Sequence, residues 1–197
     1  MLTASPKLRR AAVAAMTVAV AGLVFSGCTT TSSNASATAT EQRQEINSGA
    51  DATLSKLYQT SPQAKALVES AKGVLIFPSV ISASFVVGAE HGKGVLRVGG
   101  ANAGYFSTTA GSIGLQAGAQ SKAVVLLFMT DEALQKFRNS NGWTVGADAT
   151  VAVAKVGANG NIDTNTAQQP VVGFVMNNAG LMAGVSIDGA KISKLDL

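Results

Sequence analysis

The chain has 197 residues, 47% of them hydrophobic and 13% charged, so one ordinary domain has enough apolar material for a core and a disordered or collagen-like polymer is excluded. Its formal charge of +4 and isoelectric point near 9.4 owe much to residues 1–27, which hold Lys7, Arg9 and Arg10 and no acid; the remainder has 12 basic residues against 11 acidic ones, a net +1. That balance, with no basic strand interleaved with aromatics, argues against nucleic acid as a partner.

Residues 1–27 read as a secretory signal peptide, with a basic start, an apolar run from Ala11 to Phe25, and small residues before the chain's one cysteine. The run is shorter than the roughly 20 residues that a membrane-spanning helix needs. The segment "FSGC" resembles the bacterial lipobox, which makes Cys28 the expected lipid attachment point. Thr29 stands where an aspartate would retain a lipoprotein at the inner membrane, so the expected location is the cell envelope, at the outer membrane. Residues 28–40 are small and polar and read as a flexible tether, leaving 41–197 as the folded domain.

Between Glu45 and Gln59, residues Ile46, Ala50, Leu54, Leu57 and Tyr58 recur on one helical face. Ser61 followed by Pro62 predicts the N-cap and first position of a second helix, with Ala64, Leu67, Val68 and Ala71 on its apolar side. After Gly73 the pattern changes to short apolar segments separated by glycine or polar residues: "GVLIFP", "SFVVGAE", "GVLRVGG", "GYFST", "SIGLQAGAQ" and "AVVLLFM". Within them "EHGKG" reads as a hairpin loop, with Leu96 and Val98 then on one strand face and Arg97 on the other. Thr130, Asp131 and Glu132 predict the start of a third helix, with Leu134 and Phe137 as its apolar face up to Arg138. Strands resume in "WTVGADATVAVAKV", "PVVGFVMN", "GLMAGVSI" and "AKISKL", with turn signals at "GANG", "NNAG" and "DG".

Glycines recur inside these strands, at Gly88, Gly114, Gly118, Gly146, Gly173 and Gly184, where a flat sheet would be weakened and a strongly curved one is served. The expected fold is therefore α+β: a small antiparallel β-barrel core with three short helices packed outside. An outer-membrane barrel lacks support, because aromatic girdles are missing and helices interrupt the strands.

No catalytic residue is assigned. His91 is the one histidine and has no evident partner, and Cys28 is taken up by the lipid. No metal or cofactor is expected either, since the ligand spacings and glycine motifs such sites need are missing. Asp188 and Glu90 read as turn or surface residues. Lys93, Arg97, Lys72 and Lys122, with His91 beside the first, are the candidates for contact with anionic lipid headgroups.

Three stretches, "AKGVLIFPSVISASFVVGAEHGKGVL", "GSIGLQAGAQSKAVVLLF" and "GLMAGVSIDGAKI", together resemble the SYLF domain, found in bacterial lipoproteins and in eukaryotic phosphoinositide-binding, actin-regulating proteins. The resemblance covers residues 41–197 and implies a β-barrel core with packed helices that binds lipid without catalysis. The expected partner is an anionic phospholipid membrane, with an envelope protein as the alternative. Actin is not carried over, because an exported bacterial protein does not meet it. Nor is membrane binding through an amphipathic helix, since residues 45–58 set Glu45 and Asp51 against Lys56 alone.

Overall fold

The computed structural model describes residues 38–154, 162–182 and 185–197, with backbone alone at 84–87 and 112–119. The signal peptide, Cys28, Gly184 and the whole of "GANG" lie outside these residues. Helix α1 (Ala39–Thr60) begins inside the expected tether because Thr38 builds a capping box. Its hydroxyl accepts from the Glu41 N–H, and its own N–H donates to the Glu41 carboxylate at 2.7 Å. Those hydrogen bonds from Thr38 hold the Glu41 carboxyl below its usual range. Ser61 closes α1 by donating its N–H to the Leu57 carbonyl and opens α2 (Pro62–Ser70) by accepting from the Ala64 N–H, so one buried serine serves two helix ends.

The centre of the fold is a long hairpin of β1 (Gly73–Val98) and β2 (Ala101–Phe128). The six short segments expected between Gly73 and Met129 merge into these two strands. The chain reverses at Gly99 and Gly100, whose φ values of 58° and 81° suit the tight turn joining Val98 to Ala101. "EHGKG" is thus not the hairpin loop. It lies within β1, with His91 opposite Thr109 and Lys93 opposite Ser107.

The glycines of that stretch have another task. A Cβ on Gly94 would strike the Ile76 carbonyl oxygen and the Phe77 ring, and one on Gly92 would lie 2.8 Å from the Ser79 carbonyl oxygen. Strand β1 doubles back against its own beginning at these two residues. Register shifts between Phe77 and Val80, Ser84 and Val86, and Leu96 and Arg97 help it bend.

The remaining elements are α3 (Asp131–Asn139), β3 (Trp143–Thr144), β4 (Ala152–Val153), α4 (Thr164–Ala167), β5 (Val171–Asn177), β6 (Gly180–Leu181) and β7 (Lys191–Leu195). Opposite β1, the other edge of β2 carries β7 along Tyr105–Thr109 and β5 along Ala123–Phe128. β3 pairs with β7, and β6 pairs with β5 through the turn expected at "NNAG". Among the described residues seven strands form one sheet, curled into a half-barrel. The α+β class and the curved sheet agree with expectation. One pair, β4 with β5, is parallel, and the single turn of α4 makes four helices among the described residues. Gly146 falls in a turn rather than a strand, with φ 88°.

The central strands are buried on both faces, which explains their continuous apolar runs. On one face Val74, Ile76, Val125, Leu127, Val172 and Phe174 pack beneath Ile46, Ala50 and Leu57 of α1 and Ala64 of α2. On the other, Leu75, Phe77, Leu126 and Phe128 meet Leu134 and Phe137 of α3 and Trp143. Phe137 sits at the middle of that inner cluster, its ring centroid 4.8 Å from Phe128, 5.0 Å from Phe106 and 5.5 Å from Trp143.

Candidate functional site

Alternation along β1 places His91, Lys93, Val95 and Arg97 on the face that meets α1, and Gly92, Gly94 and Leu96 on the inner face. The expected opposition of Leu96 and Val98 to Arg97 holds, although the residues before them form strand rather than loop. Arg97 is occupied by α1: its guanidinium donates to Asp51 Oδ1 at 2.7 Å and to the Asn47 carbonyl at 3.4 Å. The side chain is only 17% exposed, and its Nε is buried without a hydrogen-bond partner. Asn47 extends this polar seam through hydrogen bonds with the Tyr105 hydroxyl and Asn102, so Arg97 helps dock a helix on a sheet.

The other basic candidates are distributed among different elements. Lys72 lies 3.9 Å from Asp131 at the start of α3, with both side chains largely exposed. Lys122 points into the fold, where its Nζ meets both Glu90 carboxylate oxygens at 2.8 and 2.9 Å; the two side chains are 16% and 18% exposed. Glu90 is therefore not the plain surface or turn residue that the sequence suggests. Lys93 remains exposed, its ammonium 2.7 Å from Gln42 Oε1 in the first turn of α1.

Among the described residues, two of the five headgroup candidates meet in one surface groove. His91 and Lys93 line a groove of about 290 Å³ with Gln42, Glu45, Pro78 and Ile81. Ile81, 56% exposed, is the one large hydrophobic side chain so displayed among the described residues. Sequence reasoning missed it because "PSVISAS" reads as a break between strands, whereas β1 runs through it. The groove thus combines an exposed apolar side chain, a lysine and a histidine at the N-terminal end of α1.

A second concavity, of about 220 Å³, lies inside the half-barrel. Phe77, Val124, Leu126 and Ile192 form its apolar wall, and Glu90, Lys122 and Asp188 supply charge. Asp188 stands at the exposed turn before Gly189 and accepts from the Ser186 hydroxyl at 2.8 Å. Among the described residues no group of three His, Cys, Asp or Glu side chains could hold a metal ion, and no helix is long and apolar enough to cross a membrane.

Residues 109–196, from within β2 to just past β7, match the family model of Ysc84, described as Las17-binding protein actin regulator. This part of the chain is similar to the Ysc84 (SYLF) family. SH3 domain-containing YSC84-like protein 1 is 28% identical over 129 residues in Bos taurus, 29% in Homo sapiens and 26% in Xenopus laevis. Each match covers 63% of this chain and 37% or 38% of the relative, so the chain spans less than two fifths of those proteins. The matched part thus corresponds to one portion of larger relatives.

Proposed function

We propose that this protein is a lipid-anchored, non-catalytic SYLF module of the bacterial envelope whose domain binds anionic phospholipid headgroups weakly. The observation that supports this reading most directly is the Ile81, His91 and Lys93 groove, where an exposed apolar side chain stands beside a lysine on a surface formed by β1 and α1. An isoleucine can enter the headgroup boundary while the ammonium meets phosphate as a point charge. Thr38, the cap of α1, follows Cys28 by ten residues, a chain length that reaches at most about 36 Å. Lipid on Cys28 would therefore keep this end of α1 within reach of the bilayer, at the outer membrane if Thr29 has the sorting role proposed above. Mass spectrometry of membrane-extracted protein is expected to find diacylglycerol on Cys28 at the mature N-terminus; an unmodified cysteine in a soluble mature chain would remove the anchor.

Headgroup binding is tested by flotation of protein lacking residues 1–28 with phosphatidylcholine vesicles containing increasing phosphatidylglycerol. Capture should rise with the anionic lipid and fall with salt. Lys93→Ala should weaken it about fivefold, since one basic residue near an anionic surface is worth about 1 kcal/mol. Arg97→Ala should act differently, loosening α1 in amide exchange while leaving the Lys93 contact in place. Equal capture by neutral vesicles, or undiminished capture of the Lys93 variant, would refute headgroup binding at this groove. Retention by an envelope protein without vesicle capture would favour the protein-interaction role instead.

A further inference from the structure

We propose that the concavity inside the half-barrel is a binding site for a small organic cation, a primary ammonium carrying a short apolar chain. This site is separate from the headgroup groove and does not depend on the membrane reading. Its wall continues the inner hydrophobic core through Phe77, Val80, Val124, Leu126, Ile187 and Ile192. The exposed residues Gly111, Ser186 and Asp188 mark its mouth. At about 30 Å³ for each water-sized group, its volume of about 220 Å³ accommodates roughly seven heavy atoms, the size of an amine with five or six carbons. An apolar wall with a few polar groups at one end is the usual character of a small-molecule site.

Charge decides the class of ligand. The ionisable side chains lining the space are Glu90, Asp188 and Lys122, two carboxylates against one ammonium. Both Glu90 oxygens already engage Lys122, and Asp188 Oδ2 is held by the Ser186 hydroxyl, so the excess charge at the mouth is negative. An incoming carboxylate would face Asp188 and compete with Glu90 for Lys122. An incoming ammonium would instead meet the excess carboxylate without breaking the existing pair. A hydrated metal ion would leave the apolar wall unused, whereas an alkyl chain covers it.

The Glu90 to Lys122 contact also fixes the shape of the site. Glu90, in the returning arm of β1, pairs with Ala110 of β2, while Lys122 of β2 pairs with Val80 in the outgoing arm of β1, so the ion pair ties together two parts of the folded hairpin. The site is consequently formed before ligand arrives, and its selectivity rests on Asp188.

The test compares hexylammonium, hexanol and hexanoate, three ligands with the same chain length, by methyl NMR of the full protein. Hexylammonium is expected to shift the Leu126 and Ile192 methyls saturably and to bind about fivefold more tightly than hexanol, with hexanoate weakest. Asp188→Asn keeps the turn and an acceptor for Ser186 while removing the charge, and it should reduce hexylammonium binding to the hexanol level without altering hexanol binding. Ala190→Leu, which projects a larger side chain into the lining, should weaken all three with the spectrum still that of a folded protein. Hexanoate binding as tight as hexylammonium, an Asp188→Asn variant with unchanged preference, or cavity methyls silent to all three ligands would overturn the assignment.

Discussion

Gly94→Ala is expected to cost about 3 kcal/mol or more, measured as a lower urea midpoint, because its added methyl has nowhere to go. The new carbon would meet the Ile76 backbone oxygen and the Phe77 ring, and a carbonyl held in a strand cannot rotate aside as a flexible side chain can. Relief requires the two arms of β1 to separate, which would also disturb the Glu90 to Lys122 bridge and the wall of the inner cavity. Gly111→Ala is the control, since open space surrounds the Cβ it would acquire. A change below about 1 kcal/mol at Gly94 would mean that the arms do not approach as closely as described.

Phe137→Ala should be of similar size, about 3–5 kcal/mol, from lost apolar burial and the void left among Phe106, Phe128 and Trp143. Phe137 is the principal anchor of the nine-residue α3, whose other fully inward side chain is Leu134. Its loss should therefore free α3 as well as weaken the core. Trp143 is the chain's one tryptophan and touches Phe137, so its fluorescence reports the loosening directly, and Phe137→Leu should recover most of the lost stability.

Local signals were legible wherever the chemistry was local. Ser61 with Pro62, and Thr130 with Asp131 and Glu132, marked helix starts that the structure reproduces, since caps act within one turn. The apolar runs 74–77, 124–128 and 171–176 were legible as core strands because burial on both faces leaves no polar alternation. Strand extent was not legible. Glycine looks like punctuation in a sequence, and only the tertiary approach of Ile76 and Ser79 shows that Gly94 and Gly92 keep a strand continuous as it folds back.

The candidate site was legible in part for the same reason. Lys93 and His91 could be selected by residue type, but their shared groove with Ile81 depends on β1 running through both segments. Arg97 and Lys122 looked equally available in sequence. Their partners, Asp51 and Glu90, are 46 and 32 positions away and become visible only when α1 lies across the hairpin and the hairpin folds upon itself.

The two occupants of the outer edge of β2 impose an order on chain assembly. The hairpin can zip outward from Gly99 and Gly100 using contacts near in sequence, whereas Phe128 must wait for Val171 and Tyr105 for Leu195. Until those late segments arrive, a long row of backbone donors and acceptors on β2 is open to pairing with another chain. Truncation before β7 would leave part of that row permanently open, so a C-terminally shortened protein should fail through self-association sooner than through loss of the hairpin itself.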